Sequence, residues 1–158
     1  LGSSILRTPI LFGPSAAGSQ AVIGMVSSGQ AKLLGGGHYQ MRPLDIDDLS
    51  EALVKLCLNP KGGQSTYELV GPESASYREL ITKTAEVMEK TVTFGSIPIF
   101  VAKIGAAVTS ILKGGGITPT VIEVITQDEV VKTNADSAIG ITLTPLRETL
   151  KKMTTPGE

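Results

Sequence analysis

The 158-residue chain has no tryptophan, few aromatics of any kind (4%), one cysteine and one histidine. Each shortage excludes a class of function. Sparse aromatics leave no platform for stacking nucleic-acid bases. A net charge of −1 with no basic cluster removes the electrostatic footprint of a nucleic-acid binder. The single Cys57 rules out an internal disulfide framework, and its place on the apolar side of a predicted helix makes it a buried, reduced thiol. One His and one Cys cannot close a tetrahedral zinc site without carboxylates. A Ser-His-Asp or Cys-His arrangement would have to run through His38, and neither Cys57 nor any serine sits in such a signature. The first residues lack the charged and apolar regions of a signal peptide, so the expected location is intracellular, cytoplasmic by default.

What is present suffices for one domain with a real core, since 41% of residues are hydrophobic. The organising stretch is TYELVGPESASYRELI at 66–81. Its β-branched and aromatic start predicts a strand over 66–70. Gly71-Pro72 ends that strand, because proline has no amide to give a ladder and glycine tolerates a sharp turn. Ser76-Tyr77-Arg78-Glu79 is an S-x-x-E capping box, with Ser76 accepting from the Glu79 amide and Glu79 reaching back to the Ser76 amide. The following helix turns Tyr77, Leu80, Ile81, Ala85 and Met88 inward and sets Glu79–Lys83 and Glu86–Lys90 pairs outward.

Elsewhere, ILRTPILF at 5–12 is apolar enough for a buried parallel strand, although it opens the chain without a local partner. Gly18-Ser19 offers a cap for a helix over 20–28 with Ala21, Val22, Met25 and Val26 on one face and Gly29 as its stop. A short strand is expected at 31–34. Gly35-Gly36-Gly37 lacks the G-x-G-x-x-G or G-K-S/T context of a phosphate loop and reads as a turn. Asp47 or Asp48 caps a helix with Leu49, Ala52, Leu53 and Leu56 inward and a Glu51–Lys55 pair outward. Asp45, Asp47 and Asp48 raise metal binding, but no later Glu or His completes an EF-hand-like ligand set, so no metal site is assigned. The segment 97–112 is apolar but shorter than the roughly 20 residues that span a bilayer. It reads as a packed helix, with an interfacial anchor or partner-docking surface as the alternative. Short helices are expected from Pro119, over 134–139 up to Gly140, and from Leu146 with Leu150 and Met153 in register.

Four of these motifs in order (ILRTPILFGP at 5–14, RPLDIDDLS at 42–50, YELVGPE followed by S-x-x-E-L, and T-P-L-x-E-x-L at 144–150) resemble the C-terminal half of extended and atypical short-chain dehydrogenase/reductases. The flavour is that of the nucleotide-binding accessory subunit of respiratory complex I and its prokaryotic relatives. The resemblance implies an α/β fold, the C-terminal part of a Rossmann-like NAD(P)-binding architecture. On it, residues 1–75 supply sheet strands and helices, and 76–158 a small, mostly helical lobe packed with them.

It also implies that Thr8, Pro9 and Ile10 stand at the strand end beside the nicotinamide ring, the candidate cofactor wall. NAD or NADP would belong to a full-length parent. This chain alone is expected to hold no cofactor, because it has neither the glycine fingerprint nor the Y-x-x-x-K pair that the family uses for catalysis. Tyr39, Tyr67 and Tyr77 are followed four residues on by Pro43, Gly71 and Ile81, so no catalytic residue is assigned. Relatives that handle sugar nucleotides place an arginine and a histidine where this chain has Met41 and Asp45, and Arg42 lies one residue out of register. That departure favours an accessory or binding half. The alternatives are the C-terminal half of an active epimerase, dehydratase or reductase, and a stand-alone protein-binding module. The expected partner is a missing N-terminal half or another protein chain, with self-association in its absence and membrane-surface contact a lesser alternative.

Overall fold

The structure, a computed structural model, describes residues 3–59, 64–104 and 119–155. The expected strand at 5–12 is two strands, Ser3–Arg7 (β1) and Leu11–Phe12 (β2), broken at Thr8-Pro9-Ile10. Pro9 cannot donate to a ladder, so the chain steps from one partner to another there. Parallel partners are found far along the chain, as a parallel sheet requires. β1 runs beside Gln64–Glu68 (β6), and β2 beside Leu44–Asp45 (β5). The expectation of a buried strand fails for β1, which is exposed at most positions, with Ile5 43% accessible. Ile5 lacks a covering layer among the described residues, whereas Leu6 packs against a buried cluster and Phe12 in β2 is fully buried.

Helix α1 spans Ala17–Ser28 and ends, as expected, at Gly29 in the left-handed region (φ 71°). Gly18-Ser19 is not its cap. The helix starts earlier, behind Ala16, and the Ser19 hydroxyl instead accepts from the Gly13 amide at 2.9 Å, fixing the turn after β2. β3 (Gln30–Leu34) pairs in parallel with β8 (Thr93–Ile97). Between β3 and β4 (Gln40–Met41) lies the triple-glycine turn, with positive φ at all three glycines. Added side chains would meet the His38 ring at Gly36 and the Leu33 side chain at Gly37. Tight packing and left-handed backbone account for these glycines. β4 pairs antiparallel with β7 (Ala75–Ser76).

Helix α2 (Ile46–Leu58) is capped by Asp45, two residues before the nearer of the expected caps, through the Asp47 amide at 2.9 Å. Asp48 instead binds the Thr144 amide and hydroxyl, both at 2.7 Å, and so staples α2 to the C-terminal segment. Local spacing cannot reveal a partner 96 residues away. Only part of the predicted face of α2 is inside: Ala52 is buried, whereas Leu53 and Cys57 are exposed. The free thiol is therefore at the surface, a correction to the buried reading. The Glu51–Lys55 pair forms at 2.9 Å.

Helix α3 (Tyr77–Val87) carries the complete capping box. The Glu79 amide donates to the Ser76 hydroxyl (3.2 Å) and the Ser76 amide to the Glu79 carboxylate (2.7 Å). Leu80 and Ile81 are fully buried, each worth about 1.5–3 kcal/mol against exposure. The helix ends at Val87, before Lys90, so the expected Glu86–Lys90 helical pair does not arise. Residues 99–104 are helical; the remainder of the 97–112 segment lies outside the described residues. Pro119–Ile125 (α4), Asp136–Ile139 (α5) and Leu146–Thr154 (α6) follow.

Two apolar clusters hold these elements. The larger joins Phe12, Val22, Val26 and Leu33 to Leu80, Ile81, Leu150 and Met153, and so draws on the first and second halves of the chain alike. The smaller joins Leu44, Ala52, Leu69 and Ile141. Among the described residues no helix is long and apolar enough to cross a membrane.

Candidate functional site

The break at Thr8-Pro9-Ile10 is where the fold opens. These three residues form one wall of a cavity of about 750 Å³. The floor is β3 with the β4 entry, and the far side is the end of α4 and the segment after it. Ile10, Met25, Leu33, Met41, Val124 and Ile125 make most of the lining apolar. Size and lining are those of a small-molecule cleft.

Two tyrosines dominate the interior. Tyr39 follows the glycine turn and Tyr77 begins α3, and their rings stack with centroids 5.7 Å apart and planes 20° from parallel. The Tyr77 amide donates to the Tyr39 carbonyl at 3.2 Å, and the capping box fixes the first turn of α3, so both rings are held by backbone. Burial, and secondarily the neighbouring Tyr77, pushes the Tyr39 phenol up to about 12. Burial also raises Tyr77. Both rings therefore stay protonated at neutral pH. Neither has a lysine four residues on, and a raised phenol is the reverse of what a general base requires.

The remaining polar groups are anchored from the segment after α4. Asp128 accepts from the Gln40 amide (2.8 Å) and Glu129 from the Arg42 amide (2.7 Å), closing the cavity's rim. Burial raises the Glu129 carboxyl, against the lowering effect of the Arg42 amide. The sequence reading assigned no role to 127–132; the signal lies in contacts across more than eighty residues. Among the described residues Lys32 is the cation on the lining.

Arg42 is already committed. Its Nε donates to the Gly71 carbonyl at 3.0 Å and a terminal nitrogen to the Pro72 carbonyl at 3.3 Å. Asp45 is likewise internal, 2% accessible, capping α2 while accepting from the Thr149 hydroxyl (2.8 Å) and Lys152 (3.2 Å). Asp45, Asp47 and Asp48 are thus each held by protein donors. Among the described residues no group of three or more His, Cys, Asp or Glu side chains is arranged to hold a metal ion.

A dinucleotide would find one wall here. Its pyrophosphate needs backbone amides converging on a helix N-terminus behind a glycine-rich turn. The glycine turn of this chain has its side-chain space filled by Leu33 and His38 instead. Thr8, Pro9 and Ile10, where the resemblance expects a cofactor wall, line this cavity, and the triple-glycine turn leads into β4 and not into a helix.

The fold defined by these parallel pairings and their covering helices is the α/β arrangement of Rossmann-type NAD(P)-binding proteins. Scans against protein-family models and curated proteins each found no match. Among solved structures, the human epimerase family protein SDR39U1 (isoform 2) with NADPH is similar at a TM-score of 0.68 and 18% identity, over 95% of this chain and 47% of that one. The UDP-glucuronic acid 4-epimerase of Bacillus cereus, in complex with UDP-glucuronic acid and NAD, gives 0.67 and 17%, over 95% and 43%. The triphenylmethane reductase of Citrobacter sp. gives 0.60 and 21%, over 85% and 47%. The likeness at these identities is one of fold. The chain spans just under half the length of the structures it matches.

Proposed function

We propose that this chain is the substrate- or partner-facing half of an NAD(P)-binding protein of the short-chain dehydrogenase/reductase type, with an accessory or binding role and no catalysis of its own. The observation that carries the reading is the cavity with Thr8, Pro9 and Ile10 as one wall, beside a glycine turn that leads into a strand and not into a helix N-terminus. NAD or NADP would lie against that wall, held by amides from an N-terminal half or another protein chain. Structural neighbours titled with NAD or NADPH support the cofactor class. Commitment of Arg42 and Asp45 to internal contacts weighs against a sugar-nucleotide enzyme, which needs a free cation for the diphosphate.

The same reading gives β1 its missing neighbour. Among the described residues β6 is its one strand partner, and no described strand runs along its other edge beside the exposed Ile5. A further strand along that edge would bury both.

Calorimetric titration of the chain with NADH and NADPH tests the proposal. No saturable binding through the micromolar range is expected, and a micromolar dissociation constant for either would overturn it. Light scattering across a dilution series is the second arm. Association through the β1 edge is expected and should weaken in Ile5→Lys. A concentration-independent monomer with slow amide exchange across β1 would mean that the edge is satisfied within the chain.

A further inference from the structure

We infer that the cavity beside Thr8, Pro9 and Ile10 takes a planar aromatic group that is neutral or positively charged, stacked on the Tyr39–Tyr77 pair, and that it accommodates no phosphate group within it. The inference deepens the proposed substrate-facing role and rests on it. Three observations converge.

The first is the platform. Tyr39 and Tyr77 are both half-buried, line the cavity and stack at 5.7 Å. Their backbones are tied together and to a capped helix start, so little ordering is left for a ligand to impose. Aromatic faces of this kind prefer an offset ring at similar distance.

The second is the lining around them. Met25 and Met41 are partly buried against the same core and offer polarizable thioethers, whose contacts with aromatic rings are favourable and adaptable. Ile10 and Leu33 complete an apolar slot. A cavity of about 750 Å³ has room for a ligand of two or three fused rings.

The third is charge. Among the described residues the lining holds two carboxylates, Asp128 and Glu129, against one lysine, Lys32. Both carboxylates are fixed by backbone amides and cannot swing away from an incoming anion. Phosphate recognition calls for a bidentate arginine or converging amides. Of the arginines that directly adjoin a lining residue, Arg42 donates to the carbonyls of Gly71 and Pro72, Arg78 lies over the Phe94 ring at 4.2 Å from its centroid, and Arg7 pairs with Glu68 at 3.8 Å. A diphosphate would meet two carboxylates with Lys32 as its one lining cation among the described residues, whereas a cation would gain the carboxylates and the ring faces.

Fluorescence anisotropy of proflavine, a planar aromatic cation, added to the full chain tests this, with menadione as a neutral planar competitor and UDP-glucose as a diphosphate competitor. Saturable one-to-one binding is expected, displaced by menadione and untouched by UDP-glucose. Tyr39→Leu should weaken proflavine at least tenfold and Tyr39→Phe by less than twofold, because the ring and not the hydroxyl makes the platform. Glu129→Gln should weaken proflavine several-fold and leave menadione unchanged. Far-UV circular dichroism establishes that each variant is folded; Met25→Lys, which sets a like charge against the cationic probe, replaces Tyr39→Leu if the latter unfolds. Absence of saturable proflavine binding, indifference to both Tyr39→Leu and Met25→Lys, or displacement by UDP-glucose overturns the inference. None of these outcomes bears on the NADH titration, so a failed ligand class and a failed half-protein reading are told apart.

Discussion

Replacing Gly71 by alanine isolates one feature on which the architecture of the site depends. Gly71 is not among the glycines with positive φ, so its backbone conformation is open to any residue. The obstacle is space. A Cβ there would lie 1.9 Å from the Pro43 carbonyl oxygen, 2.8 Å from its carbon and 3.3 Å from the Arg42 oxygen. All three are backbone atoms, so no rotamer change relieves the contact. Reaching ordinary van der Waals separation requires the two segments to part by about 1.5 Å. That movement breaks the bond from the Gly71 amide to the Arg42 carbonyl (3.0 Å) and the one from Arg42 Nε to the Gly71 carbonyl (3.0 Å). One neutral and one charged hydrogen bond together contribute about 2–4 kcal/mol, and overpacking adds about 1–3 kcal/mol. A loss of about 4 kcal/mol is a large part of the stability of a small domain. Urea unfolding followed by far-UV circular dichroism measures it. Gly140→Ala is the control, because Gly140 has φ 79° and nothing within 4 Å, so only the left-handed backbone is penalised, by about 1–2 kcal/mol. If Gly71→Ala costs less than Gly140→Ala, close backbone approach is not what selects glycine at 71.

Four further outcomes are expected. Ser76→Ala removes the cap acceptor for the Glu79 amide and should cost about 1 kcal/mol in the same unfolding assay. The amide and hydroxyl of Ser76 hold the Glu79 carboxyl below its ordinary 4.5, so this contribution is present above that pH and lost as pH falls through the lower folded value; unfolding of wild type and Glu79→Gln from pH 6 to 3 should converge. Asn134 exchanges two hydrogen bonds with the Val70 backbone (3.1 and 2.8 Å), as a neighbouring strand would, so Asn134→Ala should cost about 1–3 kcal/mol and speed hydrogen exchange at the Val70 amide, and an unchanged exchange rate would refute the pairing. Lys152, raised above 10.5 chiefly by its bond to Asp47 and further by Asp45, lends stability that is complete below that pH and lost as pH rises through its higher folded value; Lys152→Met should flatten the alkaline limb of a Tm–pH profile.

Local chemistry alone determined much of this protein. The S-x-x-E box, the Gly29 and Gly140 stops and the Leu146-Leu150-Met153 face are legible because capping, left-handed glycine and helical period act within a few residues. The order of four such motifs was enough to indicate the α/β fold that the solved neighbours share. What the tertiary structure decided lies beyond that range. Asp45 rather than Asp47 or Asp48 caps α2, because Asp48 is drawn away by Thr144. Cys57 and Leu53 face outward although the helical pattern points them in, because nothing among the described residues packs on that side of α2. Gly71 reads as a turn residue in the sequence and proves to be a point of backbone contact with Pro43. The cavity itself depends on Tyr39 meeting Tyr77 and on Gln40 and Arg42 meeting Asp128 and Glu129. Hydrogen bonds and ring contacts between residues so far apart along the chain leave no periodic trace in it, so only the folded backbone brings them together.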